Sequence, residues 1–294
     1  MLTKPFLLHA LSPLHAGTGQ AAGIVDLPIA RYRSTGIPFV PGSSIKGVLR
    51  DARRASGEEK PDKLLAVFGP ETNEAAAHAG ALVVGDARLL ALPVRSFRGT
   101  FAWVSSPLLL ELARRDLAEV ASGLKLPSFA GRAARVANGS ACLHRDKNGP
   151  EKIYLEDLDL PTQADPACDG WAKFLAPLVS PGEDIFSKRF VVVDDDTMSF
   201  LMETATQLDA RVRLDSDTRT VAKGALWLEE SLPPESLLLG LLAADRSRKK
   251  EFEMTAREVL DYALAKETVL QLGGKATVGR GRCRMVPIGG AGGG

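Results

Sequence analysis

The carboxylate of Asp26, in the stretch GIVDLPI, has no acidic neighbour downstream until Asp51, while Arg31, Arg33, Lys46 and Arg50 all fall between them. A lone carboxylate in a basic segment rich in glycine and proline has two uses. It can accept backbone N–H groups and shape a turn. It can also work beside an anion, as a proton acceptor or as one ligand of a divalent cation. His15, in PLHAG, is close enough in the chain to serve as a second base, or simply to pack. Two acidic runs, Asp194-Asp195-Asp196 and Glu229-Glu230, supply further carboxylates, as cation ligands or as residues facing water.

Two basic features suit an anionic polymer. GSSIKGVLRDARRAS reads as a helix capped by Ser43 or Ser44, with Ile45, Val48 and Leu49 on its apolar side. Its first N–H groups and Lys46 can hold a phosphate, or this can be an ordinary solvated face. The second feature is GGKATVGRGRCR. No acid follows Glu267, whereas Lys275, Arg280, Arg282 and Arg284 do. Its glycines are spaced wrongly for a Walker A loop or a dinucleotide fingerprint, and it follows a helix instead of opening one. It fits a loop that wraps a phosphate backbone, or equally a plain helix cap and hairpin. With no accepted cofactor motif in the chain, neither a nucleotide nor an organic cofactor is expected.

The chain has 294 residues, 45% of them hydrophobic, with 37 basic and 36 acidic side chains. That is ample for a real core, in one large domain or two moderate ones, and the charge balance neither demands nor excludes nucleic acid. Cys142, Cys168 and Cys283 lie far apart and form no CxxC pattern, which points to a reducing, cytoplasmic setting. The first residues do not read as a signal peptide, and no run of 18 uncharged apolar residues predicts a membrane span.

The elements that must position these residues follow from periodicity. KPFLLHALSPLH predicts a first strand, and 17–42 a long loop. ALVVGDARLLALPV predicts strand with a bulge at Gly85, SPLLLELARRDLAEVA a helix, RFVVVDDD a strand ending in acids, and ALWLEESLP and its neighbours several more strands. TAREVLDYALAKETVLQLGG predicts a helix capped at Gly273 or Gly274, and TVGRGRCRMVPI a final strand. Residues 123–184 read poorly, apart from local helix near WAKFLAPLV. The order is compatible with an α+β, ferredoxin-like β-α-β-β-α-β core carrying insertions.

Three segments together, PLHAGTGQAAGIVDLPIARYRSTGIPFVPGSSIKGVLRD, RVRLDSDTRTVAKGALWLEESLP and LGGKATVGRGRCRM, resemble the backbone subunits of Cmr-type (type III-B) CRISPR ribonucleoprotein complexes, within the repeat-associated mysterious protein (RAMP) superfamily. The resemblance runs from residue 6 to about residue 288 and is weakest at 123–184. It implies one RAMP domain: a modified ferredoxin-like (RRM-like) palm over about 1–122 and 185–288, a thumb hairpin, helical or irregular finger insertions at about 123–184, and a flexible tail at 289–294. We place the thumb at about 193–222, where Met198, Phe200 and Met202 either wedge between bases or belong to the core.

The same resemblance implies a metal-dependent endoribonuclease acting within an assembled guide complex. Copies stack as a filament along a guide RNA, and the target RNA is cut every six nucleotides. Asp26 falls on the family's catalytic aspartate and possible metal ligand, Lys46 on its guide-backbone lysine, and His15 and Glu229 on lesser candidates. Arg31, Arg50, Lys275, Arg280 and Arg282 are expected to bind RNA. The cofactor implied is a divalent cation, magnesium or manganese. The partners implied are guide RNA, target RNA, further copies, and the large signature, small and guide-end-capping subunits, with no membrane. Leu228 stands where the family commonly has tyrosine. The rival readings are a non-cleaving filament subunit, the Csm-type relative, and a guide-processing endoribonuclease of the same superfamily.

Overall fold

The structure, a computed structural model, describes residues 1–17, 25–55, 61–71, 78–145, 149–249 and 252–289. The part of the expected long loop at 18–24 and the tail at 290–294 lie outside the described residues. In chain order the strands are β1 (Leu2–Ala10), β2 (Phe39–Val40), β3 (Leu82–Val84), β4 (Ala87–Arg95), β5 (Phe101–Ser105), β6 (Ala134–Val136), β7 (His144–Arg145), β8 (Glu151–Leu155), β9 (Leu158–Ala164), β10 (Phe190–Val193), β11 (Gln207–Leu214), β12 (Val221–Ser231), β13 (Leu237–Ala244), β14 (Thr268–Gln271) and β15 (Arg282–Pro287). The helices are α1 (Gly42–Ala55), α2 (Pro61–Phe68), α3 (Pro107–Asp116), α4 (Pro166–Val179), α5 (Asp195–Thr204) and α6 (Ala256–Leu264).

Strands β15, β1, β13 and β4 lie side by side in that order, each antiparallel to its neighbour. Helix α1 falls between β1 and β4 in the chain, and α6 between β13 and β15. This is the ferredoxin-like core expected from the order of elements. The sheet continues through β5, β10, β6, β9, β8 and β7, so residues 123–184 contribute strands inside the sheet.

Both faces of this sheet are covered, which is why its strands read as unbroken apolar runs. Side chains alternate across a strand. Phe6 and Leu8 therefore face one core, with Ile45 and Leu49 of α1 and Val259 and Leu260 of α6. Leu7 faces the other, with Leu110 of α3 and Trp171 and Leu175 of α4. Where side chains are large, backbone must give way: Gly240 leaves room for the Phe6 ring, which an added Cβ would strike. Among the described residues, no helix is long and apolar enough to cross a membrane.

Several expected boundaries move. Helix α6 stops at Leu264, and Thr268–Gln271 forms β14 on the edge of the sheet, paired with β15. The β-branched Thr268 and Val269 take up strand pairing that helical periodicity alone does not reveal. Gly273, at φ +73, turns the chain after this strand and is not a helix cap. Helix α2 is an element that the periodicity reading passed over. The strand expected at 81–94 breaks into β3 and β4 around Gly85, whose N–H donates to the Leu241 carbonyl.

The segment expected to hold a hairpin, 193–222, begins instead with helix α5, capped by the Asp194 carboxylate on the Thr197 N–H. The two-stranded hairpin is β11–β12, running from Gln207 to Ser231 apart from the main sheet. One of its faces carries the exposed side chains Leu208, Val212, Leu214, Val221 and Leu226. Met198 and Met202 are buried in the core, so of the three wedge candidates only Phe200 is open to solvent. Met198→Ala should lower stability by roughly 2–4 kcal/mol, seen as a lower denaturant midpoint, because it opens a cavity. Phe200→Ala should leave the midpoint nearly unchanged.

Candidate functional site

Asp26 sits beside the foot of the hairpin. Its segment runs along β12 on the side away from β11: Leu27 N–H donates to the Leu228 carbonyl (3.1 Å), and Glu230 N–H donates to the Leu27 carbonyl (3.0 Å). One Asp26 oxygen, Oδ2, accepts the Leu228 N–H at 2.8 Å. The side chain is exposed, and among the described residues it forms no ion pair. The turn-shaping use of Asp26 is therefore real, but it occupies one oxygen and leaves the other toward solvent.

The two acids that follow Leu228 are buried, against the expectation that they face water. As neighbours on a strand they point to opposite sides. Glu230 points to the Asp26 segment. Its Oε1 accepts from Arg31 Nη2 (2.5 Å) and Thr206 Oγ1 (2.9 Å), and its Oε2 from Ile29 N–H (3.1 Å). Glu229 points to the C-terminal loop. Its Oε1 accepts from Lys275 Nζ and Trp227 Nε1, both at 2.7 Å, and Arg211 lies 3.4 Å from Oε2. Burial by itself would push the Glu229 carboxyl up. The hydrogen bonds from Lys275 and Trp227, with the charges of Lys275 and Arg211, outweigh it and bring the carboxyl down to about 2.

His15 is buried against the same strand, its Nδ1 2.7 Å from the Glu230 carbonyl oxygen. A carbonyl only accepts, so Nδ1–H donates to it, and this bond fixes the orientation of the ring. Glycine leaves room there: a Cβ at Gly17 would lie 2.7 Å from Nε2. Gly274 N–H donates to the His15 carbonyl, and Gly281 N–H to the Pro13 carbonyl, which pins the 272–281 loop to the segment after β1.

The basic residues separate into two groups. Arg31, Lys275 and Arg280 are spent on buried partners. Arg31 pairs with Glu230 and also donates to the Met202 carbonyl at 2.8 Å. Lys275 pairs with Glu229. Arg280, 5% exposed, donates to Ser231 Oγ and Asp209 Oδ2, each at 2.5 Å. Each of the three, expected to bind RNA, is paired within the protein. Arg282 is exposed at the start of β15, its N–H bonded to Ser12 Oγ. On α1, Arg50 bonds to Glu71 and the Pro70 carbonyl.

Lys46 lies apart from this cluster. It donates to the Leu82 carbonyl at 3.0 Å and lines an open cleft of about 520 Å³ with Met1, Ser43, Gly80, Asp245 and Arg248. Burial, then the charge of Arg50, lowers its pKa. Helix α1 begins at Gly42, one residue before the expected serine caps, and Gly42 N–H donates to Asp86 (2.8 Å). A Cβ at Gly42 would run into the Val84 and Gly85 carbonyls, so only glycine lets the helix start this close to the sheet. The run at 194–196 divides its labour: Asp194 caps α5, Asp195 accepts Leu108 N–H at the start of α3, and Asp196 is exposed.

Among the described residues, no group of three or more His, Cys, Asp or Glu side chains could hold a metal. Asp26 can give a divalent cation one oxygen. The rest of such an ion's shell would be water and phosphate oxygens, which fits a loosely held hydrated ion. Thr206, Asp209 and Ser231 complete the cluster without having been singled out as site residues, and Glu230, read from the sequence only as a cation ligand or a water-facing acid, is its buried centre. The signal for Glu230 was available, since two consecutive acids in an apolar strand must face opposite sides and one or both must be paired.

The depressed Glu229 carboxyl has a measurable consequence. A carboxyl held below its ordinary 4.5 stabilises the fold above that pH, and the contribution is lost as pH falls toward 2. Glu229→Gln should therefore cost about 3 kcal/mol at pH 7. The gap from the parent should narrow below about pH 4.5 and close near pH 2, read from denaturant midpoints across pH.

Comparison with known proteins meets this geometry. A family profile described as RAMP superfamily matches residues 7–284. The chain is 35% identical to the CRISPR system Cmr endoribonuclease Cmr4 of Pyrococcus furiosus, over 93% of this chain and 92% of that one. It is 25% identical to the CRISPR system CMR subunit Cmr4 of Saccharolobus solfataricus, over 95% and 94%. The crystal structure of oligomeric Cmr4 from Pyrococcus furiosus superposes with a TM-score of 0.71 at 25% identity, covering 97% of this chain and 98% of that one. The fold also matches a subunit in the cryo-EM structure of the type III-B Cmr-beta complex bound to cognate target RNA, with a TM-score of 0.75 at 20% identity over 98% and 97%. With this extent of match, the chain belongs to the RAMP superfamily and, within it, to the Cmr4-like backbone subunits of type III-B CRISPR effector complexes.

Proposed function

We propose that this chain binds guide RNA as a repeated filament subunit and cuts the paired target RNA at Asp26. The observation that carries the reading is the state of that carboxylate. Glu229 and Glu230 are buried in ion pairs and the half-buried Asp209 is paired with Arg280, while Asp26 is exposed, unpaired among the described residues, and fixed by a single N–H bond beside β12. The Pyrococcus furiosus relative, described as an endoribonuclease, supports the same activity here.

RNA carries its own nucleophile. A hairpin that pushes a nucleotide out of helical geometry can bring the 2′-oxygen into line with the adjacent phosphorus and the leaving 5′-oxygen, and alignment supplies much of the rate. We assign the wedge to β11–β12, whose exposed apolar face can insert between bases. Asp26 accepts the 2′-OH proton as the new O2′–P bond forms and the P–O5′ bond breaks, and the departing 5′-oxygen takes a proton from solvent water. The products are a 2′,3′-cyclic phosphate and a 5′-hydroxyl. A divalent cation at Asp26 would neutralise charge developing on the phosphate oxygens. The cut recurs every six nucleotides because each copy presents one hairpin and one Asp26. Lys46 and Arg248, in their own cleft, hold guide backbone without reading bases, since pairing supplies specificity. The other subunits of the complex are the partners of this filament.

In the assembled complex, Asp26→Asn should abolish target cutting while target affinity stays within a few-fold of the parent. Chelator should do the same to the parent protein. Full-rate cutting by the assembled variant would overturn the assignment. Lys46→Ala should weaken guide binding by a similar factor for every guide sequence and reduce the slope of log K against log salt by about 1. An unchanged slope would mean that Lys46 does not meet phosphate.

A further inference from the structure

Asp26 is held by β12, and one side chain of β12 ties the chain that leaves Asp26 to the hairpin. We infer that Glu230 is a positioning residue for the cleavage reaction, acting through Asp26 and His15. This rests on the reading of Asp26 given above and extends it to the group that sets its place.

Glu230 is 6% exposed, and all three groups at its carboxylate are donors: Arg31 Nη2, Thr206 Oγ1 and Ile29 N–H. Ile29 and Arg31 belong to the chain that leaves Asp26. Thr206 lies just before β11, and Arg31 also reaches the Met202 carbonyl at the end of α5. One carboxylate thus ties the Asp26 segment to the feet of both hairpin strands. The backbone of the same residue does the rest. Its N–H bonds to the Leu27 carbonyl, and its carbonyl accepts His15 Nδ1–H, which fixes the orientation of the ring. Two residues earlier, Leu228 N–H is the group that holds Asp26.

Because every partner donates, only a carboxylate serves all three. In Glu230→Gln the shape is kept, but the amide NH₂ must face at least one donor. The Asp26 segment is then released from the hairpin, while the RNA-binding cleft at Lys46 is untouched. A hairpin that moves apart from Asp26 still binds target but misplaces the proton acceptor. Misplacement lowers the rate of the chemical step and spares affinity.

The test uses the complex assembled with guide RNA. Single-turnover cutting and target affinity are measured for the parent, Asp26→Asn, Glu230→Gln and Thr206→Val, with amide exchange followed at Leu228. For Glu230→Gln we expect at least a tenfold loss of cutting rate, target affinity within twofold, and faster exchange at Leu228. Thr206→Val removes one donor from the same carboxylate. It should show a smaller loss with the same split, and it carries the test if Glu230→Gln does not assemble. Parent-like cutting by these variants beside an inactive Asp26→Asn would overturn the role of Glu230 alone. So would a loss of rate matched by an equal loss of affinity, since that is general damage to the fold. Full-rate cutting by Asp26→Asn would overturn the underlying assignment itself.

Discussion

Two adjacent buried carboxylates on one strand hold the functional end of this protein together. Glu229 and Glu230 are neighbours on β12, so the pleat sends them to opposite sides. Each meets cations and N–H groups from a segment distant in the chain. Glu230 holds the loop carrying Asp26, and Glu229 holds the loop carrying Lys275. A buried charge is costly unless paired and hydrogen-bonded. The two loops are therefore bound to β12 by a penalty that any looser arrangement would incur.

That constraint explains why so few charges at the foot of the hairpin are left unpaired. Arg31, Lys275 and Arg280 spend their donors inside the protein. Asp26 is left as the exposed acid beside β12. Lys46 and Arg248 lie elsewhere, in a separate cleft beside the start of α1. Separation of the two suits their tasks. In the proposed function the cleft meets guide backbone through Lys46, while Asp26, held by a single backbone N–H, keeps its charge for the target strand.

Much of the fold was legible. Strand β1, helices α1, α3 and α4, and strands β10 and β15 follow from periodicity and caps, and their order matches a ferredoxin-like core. The misreadings share a cause. The helix expected through Gly273 gives way to β14, because an edge position beside β15 outweighed the helical pattern. Met198 and Met202 were equally consistent with a wedge and with core. Helix α5 turns them inward, where apolar burial outweighs exposure to bases. Residues 123–184 read poorly because strands of two or three residues, such as β6 and β7, carry too little pattern to detect alone.

By itself the sequence determined that Asp26 is chemically isolated, that Lys46 lies near the start of a helix, and that an apolar strand carries two consecutive acids. Each is a local property of residue type and spacing. Only the tertiary structure decided which charges are spent and which are free. Arg31, Arg280 and Arg282 look alike in a sequence, yet the first two are locked onto carboxylates some 199 and 71 residues away, and the third is exposed. Partners at such separations are chosen by how strands stack and loops close, and no local pattern records that choice.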